Sequence, residues 1–264
     1  MKRVCVNHPD TKATALCALC SKPVCPRCIV ERNAHFYCSE ECAGNAGKAT
    51  LEQAKADAQN YGIEFSEDYT VLKHFPRNCQ LTSYQIPACV TAIGDGAFED
   101  CSNLLSSVTF GNNIIAIGKG AFIPTERIVL DKENQNFMIK DDALIEKRTQ
   151  RLIHYFGQDE NYHVPEGVTV IGDWAFRGSE ELSSITLPAG VTTIGDSAFS
   201  DCKNLSRITL PDGVTAIGNW AFYFCVNLKR ITLPATIRAI HPDAFYCAGC
   251  EDYVKQNYGH LMKE

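Results

Sequence analysis

From about residue 72 onward the apolar positions recur in a frame of 23. Three segments, VTVIGDWAFRGSEELSSITLPAG, VTTIGDSAFSDCKNLSRITLPDG and VTAIGNWAFYFCVNLKRITLPAT, start at Val168, Val191 and Val214 and align without gaps. The phenylalanine of each Ala-Phe pair marks the register: Phe98, Phe122, Phe176, Phe199, Phe222 and Phe245. Phe75 is a degenerate first copy, because Leu81 to Pro87 matches Leu182 to Pro188. Successive intervals are 23, 24, 54, 23, 23 and 23 residues. The 54 is one period plus 31, which predicts an insertion at about 131–163.

Within one unit, such as 191–213, the periodic apolar positions are Val191, Ile194, Ala198, Phe199, Cys202, Leu205, Ile208 and Leu210. Burying so few side chains does not offset the ordering of a whole unit, so no unit folds alone. Stacking is obligatory, which predicts a solenoid with one continuous core. Ahead of the array, AGNAGKA at 43–49 has the composition of a hinge. Thr50-x-x-Gln53 has capping-box spacing, and Leu51, Ala54, Ala58 and Tyr61 form a helical stripe that Gly62 ends. A helix of about 11 residues is marginal in isolation, so it is expected to dock on the first repeat.

Fourteen cysteines change the picture at the N-terminus, where seven fall in the first 42 residues. They form spaced pairs: Cys5-x2-His8, Cys17-x2-Cys20, Cys25-x2-Cys28 and Cys38-x3-Cys42. A Cys-x2-Cys turn lets two thiolates converge on one ion, and zinc takes four such ligands in a tetrahedron. Four pairs therefore predict two closed, structural Zn2+ sites whose binding energy folds a segment too short for its own core. The four-residue gap between Cys20 and Cys25, with Pro23 inside it, suits interleaving and favours a cross-braced partition, in which Cys5, His8, Cys25 and Cys28 hold one ion while Cys17, Cys20, Cys38 and Cys42 hold the other. In a sequential partition the first two pairs share one ion and the last two share the second.

The run CVNHPDTKATALCALCSKPVCPRC resembles the B-box type of zinc finger over roughly residues 4–42. B-boxes usually end in paired histidines, where this chain has Cys38 and Cys42, and His35 is a competing ligand for that slot. The 23-residue period and the L-x-x-I-x-L-P signature, as in Leu205 to Pro211, resemble leucine-rich repeats of the BspA type over about 72–250. The insertion, with DDALIEKRTQRLIHYF, and the C-terminal EDYVKQNYGHL also resemble that family's inserted hairpin and terminal capping helix. The two resemblances together imply a mainly β leucine-rich-repeat solenoid, right-handed, with a small N-terminal two-zinc finger module and short capping helices. Its expected boundaries are the zinc module at 1–42, hinge and short helix at 43–65, repeats at 66–250 and capping helix at 251–264.

Residues 1–42 carry six Lys/Arg against four Asp/Glu, and the remainder 19 against 27, so the two parts are +2 and −8. Neither has the basic balance of phosphate-backbone binding, which argues against a nucleic-acid partner. No apolar run has signal-peptide or membrane-spanning length, so the expected location is cytoplasmic, where thiols stay reduced. Ser197 in GDSAF is a register residue and not a nucleophile elbow, and the expectation is a protein without catalytic residues.

The expected function is protein–protein interaction, with the solenoid as recognition surface and the zinc module as second contact. The alternatives are a zinc-finger regulatory or nucleic-acid-associated factor and a ubiquitin-ligase-like scaffold. In the solenoid reading, the column Ser184, Arg207 and Arg230 faces outward on the concave side beside Thr186, Thr209 and Thr232. Arg207, Lys229 and Arg230 form a basic end suited to an acidic partner. Trp174 and Trp220 share one repeat position, with Tyr223 near the second. Cys101, Cys202, Cys225 and Cys247 follow the marker by two or three residues, a place for a small buried thiol. The last unit has Ile240-His241-Pro242 where others have Ile-Gly, so its turn is expected to differ.

Overall fold

The computed structural model describes residues 13, 15–16, 23–32, 35–37, 39–99, 101, 105–122, 127–130 and 134–262. Each 23-residue unit winds into one coil that contributes a short strand to each of two flanks, making about seven full coils. On the first flank, Val71–His74, Ala92–Ile93 and Ala116–Ile117 pair in parallel. A second run there joins Arg151–Tyr155, Val170–Ile171, Thr193–Ile194, Ala216–Ile217 and Ala239–Ile240. The other flank is likewise split into Ser83–Gln85, Ser107–Phe110 and Ile128–Leu130, then Asn161–His163, Ser184–Thr186, Arg207–Thr209 and Arg230–Thr232. These strands alternate as the sequence dictates, with Ile185, Ile208 and Ile231 buried between outward polar neighbours.

The marker phenylalanines stack along the axis. Phe176, Phe199, Phe222 and Phe245 are all but fully buried, with successive centroids 5.0, 5.2 and 5.0 Å apart and planes within 12°. Phe75, Phe98 and Phe122 continue the pattern at 5.2 and 5.6 Å.

Among the described residues the core falls into two clusters. One cluster runs from Ile63 to Phe137 and the other from Tyr155 to Val254. Between them lies an antiparallel meander of Phe137–Lys140, Ala143–Glu146 and Arg151–Tyr155. Its sequence is apolar at consecutive positions, the mark of a strand buried on both faces. Leu144 and Ile153 enter the N-terminal core, while Ala143, Ile145 and Leu152 enter the C-terminal one.

The expected insertion at 131–163 is therefore corrected. It contains a hairpin and then a coil whose marker is Tyr155. Tyr155 N–H donates to Ala175 O at 2.8 Å, as Phe176 N–H does to Ala198 O at 2.8 Å. Tyr162 pairs with Ile185 and takes the place of its isoleucine. The interval of 54 is thus 33 (Phe122 to Tyr155) plus 21 (Tyr155 to Phe176).

A second ladder ties the coils together. Asp173 Oδ1 accepts the Asp196 N–H, and Asp196 Oδ1 accepts the Asn219 N–H, both at 2.8 Å. The preceding glycine makes room for that carboxylate: a Cβ on Gly218 would stand 2.5 Å from Asp196 Oδ1. In the last unit the change is narrower than a new turn. His241 N–H still reaches Ile217 O at 3.0 Å, and Ala244 N–H reaches His241 O at 2.9 Å. What is lost is one donor, since Pro242 has no N–H, and Asn219 Oδ1 is left buried without a partner.

Both ends are covered. Helix α1 (Glu40–Tyr61) has 22 residues, not about 11, and runs through the segment expected to be a hinge. Gly44 and Gly47 each cost about 1 kcal/mol there, but Ala43, Ala46, Lys48 and Ala49 are strong helix formers that continue a docked helix. The docking residues are Ala54, fully buried, and Asp57, whose carboxylate accepts Gln53 Nε2 at 2.7 Å and the Tyr84 hydroxyl at 2.9 Å. Helix α2 (Glu251–Tyr258) buries Val254, and the bridge from Ile240 to Met262 covers the last strand edge. Ahead of α1 lie two short antiparallel pairs, Ala15–Leu16 with Pro23–Val24 and Val30–Arg32 with His35–Tyr37.

Gly218→Ala is expected to destabilise the array by about 1–3 kcal/mol, because the neighbouring coil's backbone and carboxylate occupy the site. Urea unfolding followed by circular dichroism measures this; an unchanged midpoint would contradict the close-approach role.

Candidate interaction surfaces

The sheet ending in Arg230–Thr232 presents two columns in register. One is Asn161, Ser184, Arg207 and Arg230, and the other is His163, Thr186, Thr209 and Thr232. Parallel pairing of identical coils forces this alignment, since every coil repeats the same register. Ser184 Oγ and Asn161 Oδ1 are 2.6 Å apart. Arg207 and Arg230 are exposed and form no ion pair among the described residues. Between the columns lies a shallow groove of about 460 Å³ whose walls include Ser184, Thr186, Arg207, Thr209 and Pro211.

The two tryptophans differ in environment. Both occupy a left-handed backbone position, at φ 62° for Trp174 and 53° for Trp220, where Gly96 and Gly120 stand in earlier coils. Trp174 lies over Gly120, so closely that a Cβ there would overlap its ring. Arg177 covers its face, with the guanidinium carbon 5.0 Å from the ring centroid. Trp220 is 49% exposed and begins an aromatic group with Tyr223, Phe224 and Tyr246.

The expected thiol register holds for Cys101, Cys202 and Cys225, three residues after the marker and buried. Cys202 and Cys225 each direct Sγ at 3.0 Å toward the marker carbonyl of the previous coil, Phe176 and Phe199. Cys247 is a correction: it is only two residues after Phe245, is exposed at φ 59°, and leaves the buried place to Ala248. Cys250 is buried just ahead of α2, so the Cys247-x2-Cys250 spacing joins an exposed thiol to a buried one. Burial pushes the Cys202 thiol up to about 12 and that of Cys250 up to about 11. It also holds Cys225 well above the ordinary thiol value.

Of the expected zinc ligands, Cys25 and Cys28 lie among the described side chains. Cys28 N–H donates to Cys25 O at 3.0 Å, and the turn brings the two sulfurs to 3.5 Å. That is close to the edge of about 3.8 Å in a tetrahedron with Zn–S bonds of about 2.3 Å. Cys5, His8, Cys17, Cys20 and Cys38 lie outside the described residues, as do the side chains of Cys42 and His35. Among the described residues no three His, Cys, Asp or Glu side chains converge, and no helix is long and apolar enough to cross a membrane.

A site that sequence reasoning did not find is the groove of about 570 Å³ between α1 and the first coils, which Asp57, Tyr61 and Tyr84 help to line. Burial and the Asp57 carboxylate raise the Tyr84 phenol well above its ordinary value, which keeps it a donor. Helical spacing alone does not reveal Asp57, because its partner is 27 residues away.

The sequence matches the family described as BspA type Leucine rich repeat region, in six copies, over residues 72–143 and 155–257. The chain belongs to this family. Its gap coincides with the meander, where the repeat signature is replaced by two-faced strands. A leucine rich cell surface protein from Faecalibacterium prausnitzii is 26% identical, with TM-score 0.46 over 62% of this chain and 50% of that one. A leucine-rich repeat protein from Bacteroides ovatus is 22% identical, with TM-score 0.45 over 71% and 55%. One from Eubacterium ventriosum is 20% identical, with TM-score 0.46 over 64% and 63%. The chain thus spans about half to just under two thirds of these relatives' lengths. No curated protein matches it.

The buried thiols give a pH prediction for this BspA-type array. Their folded values lie above those of an exposed thiol, so the stability they contribute is complete below about pH 8.5 and is lost as pH rises toward the folded values. Thermal melts should therefore fall between about pH 9 and pH 12. Cys202→Ala with Cys225→Ala should flatten that fall, and an identical slope in wild type and variant would exclude the thiols as its source.

Proposed function

We propose that the protein is a non-enzymatic interaction protein whose sheet face binds an acidic protein segment through Arg207 and Arg230. The carrying observation is that these two guanidinium groups stand in register on adjacent coils, exposed and without carboxylate partners among the described residues. Arginine forks suit carboxylates bidentately, and the threonine column beside them offers hydroxyl donors and acceptors. Membership of the BspA type leucine-rich repeat family supports a binding role. A fluorescent Glu-rich peptide should bind the wild type, and Arg207→Glu with Arg230→Glu should weaken it at least tenfold. Equal affinity would remove this surface from the reading.

The second contact in this reading is the N-terminal segment, folded around two structural Zn2+ ions. Such ions would supply cross-links and no reactive position. The turn at Cys25 and Cys28 fits a pair of tetrahedral ligands, and the topology favours the sequential partition. Val30 pairs with Tyr37, so the turn before this hairpin and the helix after it leave from the same end, and Cys42 falls in the first turn of that helix. Thiolate ligation requires reduced cysteines, which accords with a cytoplasmic setting. Metal analysis should find two ions per chain. Cys25→Ser with Cys42→Ser should retain one ion in the sequential partition and none in the cross-brace, while a wild type without zinc would end the metal reading.

A further inference from the structure

We propose that the aromatic flank of the last two coils receives an arginine or lysine side chain of another protein. This rests on the interaction reading but concerns a different part of the coil. The chain contains its own pattern for such a contact. In the coil marked by Phe176, Trp174 stands two residues before the marker and Arg177 one after it. The guanidinium lies 5.0 Å from the indole centroid and meets Glu99 at 3.1 Å, so a cation is held between a π face and a carboxylate.

In the coil marked by Phe222 the same positions hold Trp220 and Tyr223. The indole is present and half exposed, but among the described residues no cation covers it. Tyr223 instead gathers further rings: its centroid is 6.0 Å from Trp220, 4.8 Å from Phe224 and 6.0 Å from Tyr246, the last nearly parallel at 7°. The surface is therefore a cluster of π faces, where the earlier coil has one.

Three aspartates lie on the coils that carry these rings or beside them, and one carboxylate, that of Asp196, reaches the backbone next to Trp220. Asp196 is exposed and accepts the N–H of Asn219, next to Trp220. Asp201 donates its N–H to Tyr223 O at 2.8 Å, and exposed Asp243 receives the Tyr246 N–H on its carbonyl at 3.2 Å. None of these three aspartates forms an ion pair among the described residues. Two lysines of this region are engaged elsewhere, Lys203 with Glu180 and Lys255 with Glu251. An uncharged apolar partner would gain nothing from the negative charge around the rings, whereas a cationic side chain draws on the π faces and on that charge together.

The test uses the full chain and a short peptide carrying two arginines, titrated by tryptophan fluorescence and calorimetry. A matched peptide with citrulline in place of arginine keeps the shape and removes the charge. Binding is expected for the arginine peptide, at least tenfold weaker for the citrulline peptide, and at least tenfold weaker for Trp220→Ser with Tyr223→Ser. Those substitutions take the residues that Ser197 and Ser200 already place at these positions one coil earlier, so the fold tolerates them. They also leave net charge unchanged, so general attraction to an acidic chain does not explain a loss. Arg207→Glu with Arg230→Glu should retain arginine-peptide binding, which separates failure of this inference from failure of the acidic-partner reading. The inference is overturned by absent binding at millimolar peptide, by equal binding of the citrulline peptide, or by full binding in the serine variant. A concentration-dependent dimer that the serine variant abolishes would also overturn it, by assigning the flank to a second copy.

Discussion

The stacked marker rings set the spacing on which the rest of the array depends. Centroids about 5 Å apart and nearly parallel, from Phe176 to Phe245, match the distance of about 4.8 Å between hydrogen-bonded strands. One ring per coil therefore satisfies core packing and the backbone ladders at the same rise. A thicker or displaced group at the marker would disturb both at once. It follows that each ring is buried by its neighbours and not by its own coil, so stability is a property of adjacent pairs and the terminal coils need covers. Helix α1 with Asp57 and Tyr84 at one end, and α2 with Val254 at the other, meet that need.

The same dependence explains how the chain manages its one interruption. The axial stack breaks between Phe122 and Tyr155, where the meander fills the space with side chains on both faces and divides one core into two. Contacts across the break compensate on the surface. Lys119 meets Asp173 at 2.7 Å, Arg177 reaches Glu99 at 3.1 Å, and Trp174 lies over Gly120. Each exposed ion pair is worth little alone, but together with the tryptophan they join the two stacks directly. Trp174 is thus a clasp between the stacks, a role that Trp220, within an unbroken run of coils, does not have.

What was legible in the sequence follows from what repeats. The period, the marker and the outward columns are imposed identically on every coil, so similarity alone exposes them. The coil of Tyr155 was hidden because tyrosines replace the marker and the strand isoleucine, and because its intervals are 33 and 21 in place of 23. The thiol register was legible to within one residue, and that residue separates buried Cys225 from exposed Cys247. The carboxylate ladder was hidden for a different reason: Asp173 and Asp196 look like turn residues, and their acceptor role appears only when the next coil's N–H is beside them. Helix α1 was underestimated because glycine content was weighed against local propensity, while tertiary docking of Ala54 and Asp57 supports the helix.

The backbone adds a further argument about the last coils. The coils of Phe176, Phe199 and Phe222 turn through left-handed residues two before and two after the marker, a conformation that glycine adopts freely and bulky residues do not. Early coils use Gly96 and Gly120 at the first of these positions, and Gly178 serves at the second. The coil of Phe222 instead places Trp220 and Phe224 at both, at φ 53° and 56°. A large aromatic in this region costs on the order of 1 kcal/mol or more, and persists where its side chain returns something. Trp174 returns the clasp across the break. Trp220 and Phe224 gain only each other's neighbourhood through Tyr223 and remain substantially exposed. Within the fold, glycine would serve these two turns better, which accords with the contact proposed for the outward faces of the aromatics.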